Sequence, residues 1–167
     1  MRIFSYMNRF IVSFSFIFIS FSLIAEPTLE EVVVSARKVD ESVQDVPIAM
    51  SVFTASDIND AGIERPEDFI ALTPNVVMAN TVNVGDTLVT IRGLTSTRDA
   101  ESNFAFVVDG VLQTNPNAFN RELLDIAQIE VLKGPQGALY GRNATSGAIL
   151  ITTKAPSDDS ESSAVVG

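Results

Sequence analysis

Short apolar runs separated by turn-forming residues constrain the fold of this chain more than any other feature. The runs are rich in Val, Ile, Leu and Phe, and they are too short for typical helices. Turn-forming residues such as Asp109-Gly110, a hairpin signal, follow them. The pattern predicts short strands combined with a few short helices, which is an α+β domain with a small mixed β-sheet. The runs lie at 46–54, 76–79, 87–92, 104–108, 126–133 and 148–154.

The helices are predicted from their end signals. Ser56 is expected to cap a short helix that ends before Gly62, and Pro66 to occupy the first position of a second helix. A single helical turn is expected at 122–125. A turn at Gly85-Asp86 is expected to join two of the strands.

Composition excludes several classes of function. The chain has 167 residues with no His and no Cys, so it cannot build a His- or Cys-based nucleophile relay, zinc site or disulfide. Its net charge of −10 argues against nucleic-acid binding. No carboxylate spacing indicates a catalytic pair or a calcium loop. We therefore expect no enzyme activity, no cofactor and no metal.

The first 25 residues have the order of a secretory signal peptide. Arg2 and Arg9 precede a mostly apolar run over 10–24, and Ala25 stands before the first acidic residue. The alternative is a membrane anchor, although the run is short for a span and is interrupted by serines. The expectation is an exported chain.

Residues 26–45 are polar and lack helical periodicity, which predicts a flexible arm. Within the arm, the segment 30–37 contains Val32-Val33-Val34, and consecutive valines favour an extended backbone. Such a segment could add a strand to another protein's sheet, or it could be the first strand of the domain. Periodicity alone favours the second interpretation.

Two charged residues, Arg92 and Glu130, lie in apolar strands. Each needs a partner if it is buried, and none if strand alternation turns it to solvent. Patterning alone does not decide between these alternatives. The glycines between 134 and 147 match neither common phosphate-binding pattern, so tight turns and close backbone approach are the favoured interpretation.

The run from Glu130 to Ile149, EVLKGPQGALYGRNATSGAI, resembles the plug domain of TonB-dependent outer-membrane receptors. Ile91-Arg92-Gly93, the VVDGV hairpin at 107–111 and Val46-Pro47-Ile48 resemble it further. The resemblance covers nearly all of 28–156, with the plug itself at 46–156. It implies the fold of such a plug, behind the flexible arm.

The resemblance also implies roles for individual residues. A TonB box, which pairs as a strand with periplasmic TonB, corresponds to Glu31, Val32, Val33, Val34, Ser35 and Ala36. Contacts between plug and barrel correspond to Arg92, Glu130 and Lys133; Lys133 stands where Arg also occurs, and Lys cannot form a bidentate fork. Structural turns are expected at Gly93, Asp109, Gly110, Gly134, Pro135, Gly141 and Gly147.

The resemblance implies a gating and energy-coupling plug in active uptake of a scarce external ligand, such as a ferric siderophore, cobalamin or a glycan. Loops 95–103 and 113–120 are expected to reach that ligand. The 22-stranded barrel that would enclose the plug is missing from this sequence, and 157–167 could be a linker with the stub of its first strand. The chain is therefore expected to be a fragment or half of a split receptor in the outer membrane. The alternative is a free periplasmic TonB-interacting protein or a non-functional truncated receptor.

Overall fold

The computed structural model describes residues 31–80, 87–96, 101–115 and 118–156. The expected signal peptide, the start of the arm, the Gly85-Asp86 turn and the segment 157–167 lie outside the described residues. The expected loops 95–103 and 113–120 are described only in part.

Short strands make up most of the described secondary structure, with three short helices between them. The strands are β1 (Val33–Val34), β2 (Glu41–Ser42), β3 (Met50–Thr54), β4 (Val76–Asn80), β5 (Thr87–Ile91), β6 (Leu94–Thr95), β7 (Phe104–Val108), β8 (Val111–Gln113), β9 (Ile126–Lys133) and β10 (Gly147–Thr153). The helices are α1 (Ala55–Asp60), α2 (Pro66–Ala71) and α3 (Gly137–Tyr140). The prediction of an α+β fold with a small mixed sheet is confirmed.

The central sheet has five strands in the order β3-β9-β10-β7-β8. All neighbouring pairs are antiparallel except β10 and β7, which run parallel. Ile149 in β10 lies opposite Val131 in β9 and Phe106 in β7. A separate three-stranded sheet has the order β4-β5-β6, and β1 pairs with β2 alone.

One face of the central sheet carries the larger apolar cluster. Phe104 and Phe106 pack edge-on against Phe119, with ring centroids 5.2 and 5.0 Å apart respectively. Phe69 from α2 is fully buried in the same cluster together with Ile129 from β9. We call this side of the sheet the helix face.

The opposite face is lined by the alternate residues of the same strands. Leu132, Val107 and Leu150 form a second cluster with small alanines, and Ala36 from the arm packs into it. Gln128 and Glu130 belong to this face as well, because they alternate with Ile129 and Val131 along β9. We call this side the arm face.

The helix ends differ from the predictions in one respect. Thr54, not Ser56, caps α1: its hydroxyl accepts from the Asp57 amide, while its own amide donates to the Asp57 carboxylate at 2.9 Å. Pro66 opens α2 as predicted.

The predicted helical turn at 122–125 is wrong. The Leu123 amide donates to the carbonyl of Glu64 at 2.8 Å, and Asp125 has a positive φ of 51° while its carbonyl accepts from Lys154. These longer-range backbone bonds replace the local bonds that a helical turn would need.

Candidate functional site

The segment Glu31–Ala36 lies against the arm face of the central sheet. Within it, β1 pairs antiparallel with β2, Val33 opposite Ser42 and Val34 opposite Glu41. Val34 is 1 % exposed and Ala36 0 %, whereas Val33 is 48 % exposed. The valines favour an extended backbone, and the segment indeed contains a short strand. Its alternate side chains point inward.

Glu130 meets this segment from the middle of β9. Its side chain is buried, and its Oε1 accepts from the Ser35 amide at 3.1 Å and from the Ser35 hydroxyl at 3.4 Å. Its Oε2 is buried and has no hydrogen-bond partner among the described residues. The structure thus places Glu130 beneath the arm, and the expected contact with a barrel stays a prediction.

Two neutral side chains bind the same segment. Gln128 Nε2 donates to the carbonyl of Val33 at 2.9 Å and to Glu130 Oε1 at 3.3 Å. The Tyr140 hydroxyl donates to the carbonyl of Ala36 at 2.8 Å. The ammonium of Lys38 lies 5.7 Å from the centre of the Tyr140 ring. Side chains from β9 and α3 therefore converge on the backbone from Val33 to Ala36.

Burial sets the electrostatics of this contact. Desolvation raises the pKa of Glu130 above its ordinary value, and the hydrogen bonds from Ser35 oppose that shift only in part. Desolvation also raises the pKa of Tyr140 to about 12, helped by the negative charge of Glu130. The phenol is consequently a hydrogen-bond donor at every physiological pH.

Arg92 and Lys133 come together at another place. The Nη1 of Arg92 would lie 3.0 Å from a Cβ added to Gly134, so the guanidinium packs over this glycine next to Lys133. Lys133 Nζ donates to the Ser51 hydroxyl at 3.0 Å, and desolvation, then the charge of Arg92, lowers the pKa of Lys133. Neither cation forms a salt bridge with another described residue.

Most of the residues expected at structural turns have positive φ angles or lie where two parts of the backbone approach closely. Gly134, between β9 and α3, has φ +114°, and the space a side chain would take is filled by Arg92. At Gly147 two strands approach closely instead, because an added Cβ would clash with the carbonyl oxygen of Leu132. Pro135 lies in the connection that follows β9, and it is exposed. Positive φ angles occur also at Gly93, Asp109, Gly110 and Gly141.

The described part of the expected ligand loop 95–103 is tied to the domain through Asn103. Its Oδ1 accepts from the Ser96 hydroxyl at 2.8 Å, and its carbonyl accepts from the Ser146 hydroxyl at 3.0 Å. Arg142 pairs with Glu101 nearby at 2.9 Å on the surface. The described residues contain no group of side chains suited to hold a metal ion. Within the same residues, no helix has the length and apolar character needed to cross a membrane.

Comparison with known proteins agrees with this architecture. Residues 42–148 match the family model of the TonB-dependent receptor plug domain. The chain belongs to this family. The plug match begins within β2 and ends at the second residue of β10, so it includes four of the five strands of the central sheet and the start of the fifth.

Receptors and transporters are among its relatives. The pesticin receptor of Yersinia enterocolitica is 31% identical over 132 residues, which are 78% of this chain and 19% of the receptor. The vitamin B12 transporter BtuB of Vibrio vulnificus is 31% identical over 144 residues, 83% of this chain and 23% of that protein. This plug chain thus spans about a fifth of the length of these relatives.

A solved structure supports the same assignment. The ferric yersiniabactin uptake receptor FyuA from Yersinia pestis superposes with a TM-score of 0.60 at 31% identity, covering 65% of this chain and 17% of that one. The sequence-based recognition of a TonB-dependent receptor plug is confirmed.

Sequence reasoning missed Gln128 and Tyr140 as partners of the arm. The signal that could have found them is Glu130, since a carboxylate in an apolar strand needs donors. Alternation then places Gln128 on the same face as Glu130. Nothing in the sequence indicates that the Tyr140 hydroxyl reaches Ala36.

Proposed function

We propose that this chain is the gating and energy-coupling plug of an outer-membrane transporter, and that TonB in the periplasm binds the segment Glu31–Ala36. The observation that supports this most is the way the segment is held. Its own strand pairing is only two residues long, and side-chain hydrogen bonds supply most of its other polar contacts. A strand held this way can leave the sheet face without breaking the central sheet.

Strand pairing suits the transmission of force. A ladder of backbone hydrogen bonds can carry tension along its length and tolerates variation in side chains. The valines of the segment favour the extended backbone that such pairing needs. TonB pulling on this segment would load its pairing with β2 and its hydrogen bonds with Gln128, Glu130 and Tyr140.

The cations Arg92 and Lys133 support a location inside a barrel. Arg92 is exposed and Lys133 is half-buried, so both charges are accessible to carboxylates outside the plug. We propose that acidic residues on the wall of a 22-stranded barrel fill this role, and that the plug lies in the outer membrane. Lys133 would form a single, weaker contact there than Arg would.

The ligand is proposed as a scarce external nutrient, such as an iron–siderophore complex or cobalamin. This follows the relatives, which include a ferric yersiniabactin uptake receptor and a vitamin B12 transporter. The loops 95–103 and 113–120 are the proposed contacts.

The test of the coupling role is binding of the TonB C-terminal domain to the 167-residue chain and to two variants at one position. Val33→Pro removes a backbone donor and restricts the backbone, so we expect it to abolish binding. Val33→Ala keeps the amide and is the matched control, which should bind within about threefold of the wild type. Equal binding by Val33→Pro and Val33→Ala would contradict the assignment of the segment.

A further inference from the structure

A cavity of about 680 Å³ lies on the arm face of the central sheet. Its lining comes from four parts of the domain: the turn at 35–40, the hairpin of β7 and β8, α3, and the end of β10. Cavities that take drug-sized molecules have volumes of roughly 300–1,000 Å³. The cavity is therefore large enough for a small organic molecule.

Much of this cavity is lined by apolar side chains. Val107 and Leu150 line it and belong to the buried cluster of the arm face. Two further lining residues are partly open to solvent, since Leu112 of the edge strand β8 is 40% exposed and Val39 is 59% exposed. Covering such side chains removes apolar area from water, so the lining favours a ligand with an apolar body.

One wall of the cavity is aromatic. Tyr140 lines it, and the Lys38 ammonium lies 5.7 Å from the centre of the Tyr140 ring. The face of an aromatic ring attracts cations through its quadrupole. The Tyr140 hydroxyl is tied to the carbonyl of Ala36, which fixes the ring in place. This wall is a preformed surface for a positive charge.

Carboxylates surround the same wall. Asp40 lines the cavity, and it forms no salt bridge with another described residue. Glu130 lies behind Ser35, whose hydroxyl donates to its Oε1 at 3.4 Å. Burial is the main cause of the raised pKa values of Glu130 and Tyr140, and negative charge adds to both shifts: that of Asp40 for Glu130, and that of Glu130 for Tyr140.

Positive charge at the cavity is limited to one side chain. Among the described residues of the lining, Lys38 alone is cationic. The neighbouring Arg37 pairs with Glu41 at 3.2 Å, so its charge is matched within the arm. The carboxylates therefore outnumber the cation, and the site favours a positively charged ligand over an anionic one.

We propose that this cavity is a binding site for a small organic cation, an amine with an apolar aryl or alkyl body. The body lies on Val107, Leu112 and Leu150, and the ammonium faces Asp40 and the ring of Tyr140. Lys38 faces the same ring and therefore competes with the ammonium of the ligand. The proposal goes beyond the coupling role and does not depend on it, because the chemistry of the ligand follows from the lining alone.

The test compares three probes that carry a phenyl ring on a short alkyl chain: phenylbutylamine, phenylbutanol and phenylbutyrate. Each is titrated into the methyl-labelled 167-residue chain, and binding is followed by NMR. We expect phenylbutylamine to bind with a Kd of about 1 mM, which is ordinary for a ligand of this size. Phenylbutanol should bind about twofold to fivefold more weakly, the value of one exposed charge contact, and phenylbutyrate more weakly still.

Two substitutions in the turn should act in opposite directions. Asp40→Asn should weaken phenylbutylamine about twofold to fivefold and leave phenylbutanol unchanged. Lys38→Gln should tighten phenylbutylamine by a similar factor, because it removes the competing ammonium from the ring. A general loss of folding cannot produce opposite signs at two positions of one turn. Asp60→Asn, at an exposed carboxylate on α1, is the matched control and should change nothing.

The apolar contact is tested on β8. Leu112→Ala removes part of the lining and should weaken phenylbutylamine and phenylbutanol alike, by about threefold. Val111→Ala truncates the preceding residue, which lies outside the lining because alternate residues of a strand face opposite sides of the sheet. It should leave both affinities unchanged.

The methyl signals locate the bound probe. Those of Val107, Leu112 and Leu150 should shift during the titration with phenylbutylamine, whereas those of Val89 and Ile129 in the other apolar cluster should not. Shifts spread equally over both clusters would overturn a single site on the arm face.

Four further results would overturn the proposal. The first is that no probe shifts the lining methyl groups up to about tenfold above the expected Kd. The second is that phenylbutyrate binds as tightly as phenylbutylamine, which would make the occupant an anion held by Lys38. The third is that Asp40→Asn leaves the affinity for phenylbutylamine unchanged. The fourth is that the lining methyl groups respond to the TonB C-terminal domain but to none of the probes, which would assign the cavity to a protein partner.

Discussion

The two faces of the central sheet are covered in different ways. The helix face is sealed by large apolar side chains, with Phe69, Phe119 and Ile129 fully or nearly fully buried in one cluster. The arm face is lined mainly by small residues and by Leu132, Val107 and Leu150. Its cover is a short segment held by Glu130, Gln128 and Tyr140 through hydrogen bonds.

The two faces therefore differ in how firmly their cover is held. Apolar burial on the helix face scales with area and has no single contact whose loss frees an element. Hydrogen bonds on the arm face are few and directional, so breaking a handful of them frees the segment. One sheet thus carries an apolar core on one side and, on the other, a short strand held mainly by hydrogen bonds.

The largest expected effect comes from removing the centre of the helix face. Phe69→Ala should lower the free energy of unfolding by about 3–5 kcal/mol, because it deletes a fully buried ring that its neighbours cannot replace. Urea unfolding measures this loss. Val111→Ala on the edge strand β8, where the side chain is 62% exposed, is the control and should cost no more than about 0.5 kcal/mol. Similar losses in both variants would show that the helix face is not the core.

The next effect concerns the packing of β10 on β9. Gly147→Ala should lower the free energy of unfolding by about 1–3 kcal/mol, because its Cβ would meet the Leu132 carbonyl oxygen and the strands must shift. Gly137→Ala is the matched control, since nothing lies within 4 Å of its Cβ. Thermal or urea unfolding of the two alanine variants measures this difference in stability. A Gly147→Ala protein as stable as Gly137→Ala would contradict the close approach of the strands.

A smaller effect is expected at the start of α1. Thr54→Ala removes the capping hydroxyl and should cost about 1 kcal/mol. Thr54→Ser keeps the hydroxyl and should restore most of the stability in the same unfolding assay. A serine variant as unstable as the alanine variant would place the cost in packing of the threonine methyl group.

The smallest expected effect is a dependence on pH that arises from the arm face. The folded-state pKa of Glu130 is raised above 4.5, mainly by burial, and Asp40 of the arm adds to this shift. The folded state therefore binds this proton more tightly than the unfolded state. Its contribution to stability is fully present below about pH 4.5 and is lost as pH rises through the folded-state pKa.

Glu130→Gln tests this dependence because its side chain stays neutral while its oxygen can still accept from Ser35. The stability of the variant relative to wild type should grow as pH rises from about 4.5 to about 8. Tyr140, which also faces Glu130, does not titrate in this range, since its pKa is about 12. Urea midpoints over that range provide the measurement. A difference that stays constant with pH would mean that Glu130 does not titrate differently in the folded state.

The sequence was informative where local pattern and tertiary context agree. The run 126–133 has the length and composition of a buried strand, and β9 spans these same residues. Pro66 followed by acidic residues marks the start of α2. Asp109-Gly110 joins β7 and β8 in the predicted hairpin.

Prediction failed where hydrogen bonds to residues distant in the sequence determine the local structure. Residues 122–125 have no local signal for the bonds that Leu123 and Asp125 make with Glu64 and Lys154. The position of the segment Glu31–Ala36 is a similar case, because its contacts with Gln128, Glu130 and Tyr140 span roughly a hundred positions of the chain. Such contacts depend on the register of the finished sheet, which local patterns do not encode.

The measurement that tests the difference between the two faces most directly is native-state hydrogen exchange on the 167-residue chain. The amides of Ser35 and Val43 report the segment on the arm face. Those of Lys133 and Gly134 report the end of β9, where they donate to the carbonyls of Ala49 and Ser146. We expect Ser35 and Val43 to exchange through a small opening with a low free energy and little dependence on denaturant, while Lys133 and Gly134 exchange only in larger unfolding. Equal opening free energies and equal denaturant dependence at all four amides would contradict separate opening of the segment Glu31–Ala36.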